Sequence, residues 1–326
     1  MTQLRVLRAG PATTVQDAGR LAWQHVGVSP AGFADPLLAA LGNTLLGNPR
    51  DAAVLEWTLH GDALQVVGGP VRVVVAAWAD VRVDGQPAPN FRTLRLHDGQ
   101  LLEVEALQRG RHGVLAIAGG VHTDLVLGSR SAHVRTGVGG HPLRAGDTVP
   151  ICLDVHPRAA DRFLPADQVP QPSSLVRILP GPQHHLFEAD ALPSLLAHPW
   201  HVRAADRMGA RLEGPPLQLL PDVELVSEGV VTGALQVPPS GQPIALGPDR
   251  QTMGGYAKLA VVISADWRHI GQWRDGEQVQ FQLTNLVDAE QARINADRAL
   301  ADLLAAQRDV HDILPFESAR LLHLLS

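Results

Sequence analysis

Apolar positions along the chain come in short runs broken by glycine and proline. Residues 4–9, 64–78, 92–96, 101–107, 113–117, 223–226, 230–237, 259–263 and 278–283 are rich in valine, leucine and isoleucine. That composition suits the pleated, half-buried surface of a strand. Asp84-Gly85 and Asp98-Gly99 lie between such runs. Asp-Gly accepts the positive φ of a tight hairpin turn, so each pair predicts a hairpin. Many short strands with few βαβ units predict a mainly β chain of barrels or sandwiches rather than a doubly wound sheet.

Three segments have helical periodicity instead. Asp35-Pro36 offers an N-cap followed by proline at the first helical position, and Leu37, Leu38, Leu41 and Leu45 share one face. Gly47 and Asn48-Pro49 end that helix. Residues 187–196 form a weaker candidate. Residues 288–310 predict a C-terminal helix, with Ala296, Leu300, Leu303 and Leu304 opposite Arg293, Asp297 and Asp302. Residues 164–174 are polar and proline-rich, which reads as a linker. After it the chain restarts: residues 4–11 (LRVLRAGP) resemble residues 176–182 (VRILPGP). The expected organisation is two β-barrel lobes, 1–165 and 175–326, the second carrying the C-terminal helix.

Composition removes whole classes of function. A length of 326 residues accommodates two domains of ordinary size, and a 45% apolar, 18% charged chain is a globular one. The net charge of −6 and the lack of a basic run interleaved with aromatics argue against nucleic acid. The opening residues read as a strand rather than a signal peptide, and no run is long enough for a membrane helix. A cytoplasmic protein with no membrane partner is expected. Cys152 is the lone cysteine, so neither a disulfide nor a cysteine-based metal cluster can form within the chain. Of 27 cationic residues only Lys258 is lysine, and its neighbours do not form a Walker A loop. Nor do they form the methionine-flanked hairpin of a biotin carrier. No covalently bound cofactor is expected, and a nucleotide would be held by other means or by a partner.

No familiar catalytic signature is present. Gly128-Ser129-Arg130-Ser131 lacks the glycine of a nucleophile elbow, and adjacent His184 and His185 diverge, so no metal site is assigned. Four polar clusters stand out. Gln16-Asp17-Ala18-Gly19-Arg20 is either part of a site or a loop in which Asp17 and Arg20 pair. In residues 206–211 (DRMGAR), Arg207 and Arg211 flank a glycine, which suits an oxyanion or a structural ion cluster. In residues 236–243 (QVPPSGQP), Gln236 and Gln242 bracket a rigid proline turn. Their amides can donate and accept at once, as a lactam or ureide requires, or the segment is a tight interstrand loop. In residues 249–258 (DRQTMGGYAK), Gly254 and Gly255 could form an anion nest. The lone tyrosine, Tyr256, and the lone lysine fall here, and Met208 and Met253, the two internal methionines, fall in the second and fourth clusters.

Taken in order, these clusters resemble a known family. They comprise QDAGR at 16–20, Gly27-Val28, Gly32, Asp35, Asn43, Gly47-Asn48 and Leu55-Glu56. LGSRS at 127–131 and Gly146-Asp147 follow, then DRMGARL at 206–212, SEG at 227–229 and QVPPSGQPI at 236–244. DRQTMGGY at 249–256 and Gly271-Gln272 close the series. The chain resembles the KipA family, also called the 5-oxoprolinase C-subunit, biotin-dependent carboxyltransferase or allophanate hydrolase subunit 2 family. Met253, Ala257 and Ala132 depart from its usual Thr, Pro and Thr. The resemblance implies cyclophilin-like β-barrels and a subunit inactive alone. Its implied partners are a KipI-like B subunit plus a LamB/YcsF-like A subunit, in an ATP-using hydrolase that opens 5-oxoproline to glutamate. It implies Asp17, Arg207 and Tyr256 as catalytic. Gln16, Arg20, Gln236, Gln242, Gln251, Thr252, Gly254, Gly255 and Lys258 would bind substrate. The alternatives are the carboxyltransferase component of a urea-carboxylase-like enzyme and a regulatory protein binding a KipI-like kinase inhibitor.

Overall fold

The computed structural model describes residues 2–223 and 225–309. The outer bounds of the two expected lobes, Met1 and Ser326, and the last expected helical residue, Val310, lie outside them. The chain is mainly β. In the first lobe a six-stranded sheet has the order Thr148–Pro150, Gln3–Arg8, Ala63–Val67, Leu101–Leu107, Ala79–Val83, Gln86–Ala88. It faces a five-stranded sheet ordered Thr14–Gln16, Val54–Thr58, His112–Ile117, Val71–Ala76, Thr93–Leu96. Between them lies one core that includes Leu4, Val6, Leu64, Val73, Val75, Leu102, Leu115 and Ile117. The smaller sheet is buried on both faces. Val74, Ala76, Val114 and Ala116 point the other way, onto Leu38, Leu41 and Leu45 of helix α1 (Pro36–Leu46). That is why its central strands read as continuous apolar runs.

The second lobe is a closed seven-stranded barrel: Leu175–Pro180, Ala257–Val262, Ala234–Val237, Ile244–Leu246, Gly209–Glu213, Trp200–Asp206 and Gln278–Leu283. The last strand closes on the first in parallel register, Leu175 opposite Gln280 and Ile178 opposite Leu283. Trp200, Trp273 and Phe281 fill its interior with branched aliphatics. Helix α2 (Ala191–Ala197) covers one opening and α3 (Trp267–Gln272) lies against the first lobe. Helix α4 (Leu286–Ala305) spans the two: Ala289 and Ala292 pack on Ile263, and Leu300, Leu303 and Leu304 pack on the α1 cluster. No helix among the described residues is long and apolar enough to cross a membrane.

Several local expectations are met. Asp35 caps α1, its carboxylate accepting from the Leu37 and Leu38 amides, and Gly47 ends it at φ 80°. Asp84 and Gly85, at φ 50° and 75°, form the predicted hairpin turn. Others differ. Residues 64–78 are two strands in different sheets, broken at Gly68-Gly69-Pro70, where both glycines have positive φ. Asp98-Gly99 joins no hairpin, because its flanking strands belong to opposite sheets. Residues 223–226 contain no strand among those described, and of 230–237 only Ala234–Val237 is one. The proline-rich segment 164–174 is strapped down, with Leu164 and Val169 buried against the α1 cluster. The two segments paired by the restart are both strands, Gln3–Arg8 in the six-stranded sheet and Leu175–Pro180 in the closed barrel. Gly10 and Gly181 then approach a carbonyl, of His60 and Lys258 respectively, too closely for any Cβ.

The seam between lobes is polar and densely bonded, with Arg111 Nε and His112 Nε2 buried there without partners. Gln272 is buried and makes four bonds. Its Nε2 donates to Asp35 Oδ2 (2.9 Å) and the His112 carbonyl (3.1 Å), while its Oε1 accepts from the Arg111 and His112 amides at 2.7 and 2.9 Å. Arg268 adds a two-pronged pair to Asp35 at 3.0 and 2.9 Å. His112 Nδ1 lies 2.6 Å from the Gly271 carbonyl. A carbonyl only accepts, so Nδ1 carries a proton, while Nε2 is buried without a partner. Burial, with Arg207 and Arg111 nearby, pushes its pKa down to about 3. The unfolded chain takes up a proton near pH 6.5 that the folded imidazole refuses, so stability is lost as pH falls from about 6.5 toward 3. The slope from this group reaches about 1.4 kcal/mol per pH unit. Denaturant unfolding across that window should give a shallower acid limb for His112→Leu; an equally steep limb would assign the acid sensitivity to other groups.

Candidate functional site

Three of the four sequence clusters meet around the seam and the adjacent barrel end, but they do different work. Arg207, in the turn between barrel strands Trp200–Asp206 and Gly209–Glu213, points across to the first lobe. Its guanidinium bonds Asp249 at 3.0 and 2.8 Å, the Gly32 carbonyl, and Glu56 on strand Val54–Thr58. Glu56 also accepts from the Ala34 amide at 2.8 Å. All three charged groups are buried. Burial alone would lower the Arg207 pKa, but the two carboxylates reverse this and raise it. Burial drives Glu56 up to about 7 despite the pull of Arg207.

Asp17 is tied to the LGSRS segment. Burial would raise its pKa, but donors on all sides hold it below the ordinary value. It accepts from Ser129 Oγ at 2.5 Å, Ser131 Oγ at 2.6 Å, the Arg130 amide at 2.6 Å and the Gly19 amide at 2.9 Å. Arg20 does not bond Asp17; it donates to the Val126 and Ser131 carbonyls. Gln16 is wholly buried, its Nε2 donating to Thr14 Oγ1 and the Ala132 carbonyl, both at 2.9 Å, and its Oε1 accepting from the Gly32 amide. The first cluster therefore fastens loops together.

At the barrel end a second constellation forms. Gln236 and Lys258 face each other in adjacent strands, at a bulge. Gln251 donates to Gln236 Oε1 at 3.1 Å. The Lys258 ammonium pairs with Glu228, which also accepts from Gln183 Nε2. The bonds from Lys258 and Gln183 hold the half-exposed Glu228 carboxyl below its ordinary range. Residues Glu228–Gly229 pair with Met253–Gly254, closing a small flap over the cluster. Neither Gly254 nor Gly255 has positive φ, so the expected anion nest is not formed. Gly254 is needed for a different reason: a Cβ there would strike the Gln236 amide.

Comparison with known proteins places this geometry. A family model described as the carboxyltransferase domain, subdomains A and B, matches residues 26–283. The chain belongs to that family. It is 34% identical to the 5-oxoprolinase C subunit of Escherichia coli (strain K12) over 306 residues, covering 92% of this chain and 97% of that protein. The corresponding protein of Haemophilus influenzae is 32% identical over 292 residues, covering 88% and 93%. The crystal structure of the Kluyveromyces lactis urea carboxylase superposes with TM-score 0.84 at 25% identity, over 92% of this chain and 29% of that one.

In this carboxyltransferase-family chain, Gln236, Gln251, Gly254 and Lys258 come together, whereas Asp17, Gln16 and Arg20 lie in the first lobe and Arg207 in the seam. Gln242 is separate, its amide paired with both backbone groups of Gly214 at 2.9 and 3.1 Å. Thr252 contributes its carbonyl to the Val230 amide, Gly255 lies beside Ser227, and the Tyr256 side chain is exposed at the rim. Glu228 and Gln183 were not singled out from sequence. The signal for Glu228 was present: a lone buried lysine requires an acid, and SEG was among the matched motifs. Gln183 carried no signal. Removing one member of a buried ion cluster leaves uncompensated charge, which costs about 3–5 kcal/mol. Arg207→Met should lose stability on that scale in urea unfolding; a variant of wild-type stability would free Arg207 for a role in chemistry.

Proposed function

We propose that the chain is the C subunit of an ATP-dependent 5-oxoprolinase, working with a KipI-like B subunit plus a LamB/YcsF-like A subunit to open 5-oxoproline to glutamate. What carries the reading is the extent of the likeness: the alignment with the E. coli C subunit covers 97% of that protein and 92% of this chain. In lactam hydrolysis water adds to the ring carbonyl, the C–N bond breaks, and the ring nitrogen takes a proton. ATP cleavage in the assembled complex drives the opening. The barrel end offers what such a substrate needs from this polypeptide. The Gln236 and Gln251 amides can pair with a cis lactam edge. Lys258, steadied by Glu228, supplies a positive charge where a carbonyl oxygen becomes negative. Tyr256 stands at the rim, within the reach of a partner. Arg207 and Asp17, with their hydrogen-bonding capacity spent inside the chain, hold the loops that shape the site.

A second reading has its own support. The urea carboxylase fold match extends over 92% of this chain, and a ureide presents the same amide edge as a lactam. The two readings separate on co-expression. With both partner proteins present, ATP-dependent glutamate release from 5-oxoproline is expected, and Gln251→Ala should reduce it about 10-fold or more through the loss of an oriented donor. Carboxyl transfer from a biotin carrier, with no glutamate release in the full complex, would overturn the first reading. Unchanged turnover in Gln251→Ala would move the site elsewhere.

A further inference from the structure

A cleft of about 550 Å³ runs between the lobes, walled by Leu21, Phe33, Ala40, Trp267 and Ile270. Its polar edge holds Gln24 and Arg250. Among the described residues five arginines are buried: Arg20, Arg72, Arg111, Arg207 and Arg250. Arg72, Arg111 and Arg207 pair with carboxylates, and Arg20 donates to two backbone carbonyls. Arg250 is different. It is 4% exposed, its one bond is from Nη2 to the neutral Gln24 Oε1 at 2.8 Å, and its Nε and Nη1 have no partner. Burial pushes its pKa down with no carboxylate to offset it. A buried cation without a counter-ion is costly, and chains that keep one commonly use it for a ligand.

The geometry of the unmet donors indicates the ligand. Gln24 takes one of the two Nη2 hydrogens. Whichever it takes, one complete two-donor edge remains, Nε with Nη2 or Nη1 with Nη2, and either edge matches the two oxygens of a carboxylate. The half-buried Gln24 holds the other Nη2 hydrogen, next to that edge. The apolar walls suit a compact hydrocarbon body. We propose that this interlobe cleft binds a small monocarboxylate with a compact apolar body, its carboxylate forming a two-pronged pair with the unused edge of Arg250 beside Gln24. This site is separate from the Gln236–Lys258 constellation, and it rests on the 5-oxoprolinase reading only for one of its probes.

Binding to the isolated chain tests it by calorimetry and thermal shift, with cyclopentanecarboxylate, 5-oxoproline, uncharged 2-pyrrolidinone and inorganic phosphate as probes. At least one of the two carboxylates should bind and raise the Tm of the wild-type chain, and 2-pyrrolidinone should not. Gln24→Glu builds the missing counter-ion into the chain. It should raise the ligand-free Tm and weaken carboxylate binding about 10-fold or more. Arg250→Met should also abolish binding, and because Gln24→Glu keeps the arginine, misfolding of one variant leaves the other decisive. Binding of cyclopentanecarboxylate without 5-oxoproline would support this site while counting against the oxoproline reading. Carboxylate binding undiminished in Gln24→Glu, binding of phosphate alone, or no response to either carboxylate would overturn it.

Discussion

The buried contact of Arg207 with Glu56 and Asp249 is the constraint on which the arrangement of the two lobes turns. A charge cluster of this kind is a weak source of net stability, since desolvation consumes most of the Coulombic gain. Its effect is on geometry. An apolar seam could slide by an ångström at little cost, whereas a guanidinium held by two carboxylates and a carbonyl tolerates one docking. Asp35, capping α1 and receiving Arg268 and Gln272, repeats the device a short distance away. One carboxylate there starts a helix and ties down the other lobe, so local and tertiary structure share an atom.

Residues 249–251 lie in a turn and the irregular backbone after it, and their side chains divide the labour. Asp249 turns to the seam clamp, Arg250 to the interlobe cleft and Gln251 to the barrel end. Because three successive side chains diverge, a shift of this segment would misplace all three at once. Flexibility is removed on both flanks: Gly247 donates to the Met208 carbonyl, and Met253–Gly254 pairs with Glu228–Gly229. The loop is therefore tied to both the seam and the barrel end.

The mainly β class, the cap and stop of α1 and the Asp84-Gly85 turn were legible because each rests on a local rule of backbone conformation. What was not legible depends on contacts distant in sequence. Val71–Ala76 and Ala63–Val67 carry the same apolar signature but belong to different sheets, a choice made by α1 and the facing sheet. The glycines at 254 and 255 suggested a nest, yet Gly254 is small because Gln236 arrives from another strand. Arg207 and Asp17 attract notice in the sequence as charged residues beside glycine, a description that fits a clamp as well as a catalyst. Only the partner atoms separate the two, and those come from residues 56, 129, 131 and 249.

The same reasoning explains why the lone lysine matters. In a chain whose other 26 cations are arginine (27 less one), a lysine at a buried position marks a place where a flat fork does not serve. Lys258 lies opposite Gln236 and is buried, its compact ammonium paired with Glu228, whose strand pairs with Met253–Gly254. An ammonium also leaves donors free to rotate while Glu228 holds the charge in place. Arginine, by contrast, fits the seam, where several fixed acceptors must be met at once. The two cations are thus sorted by geometry: forks where the lobes are held, a point charge at the barrel end.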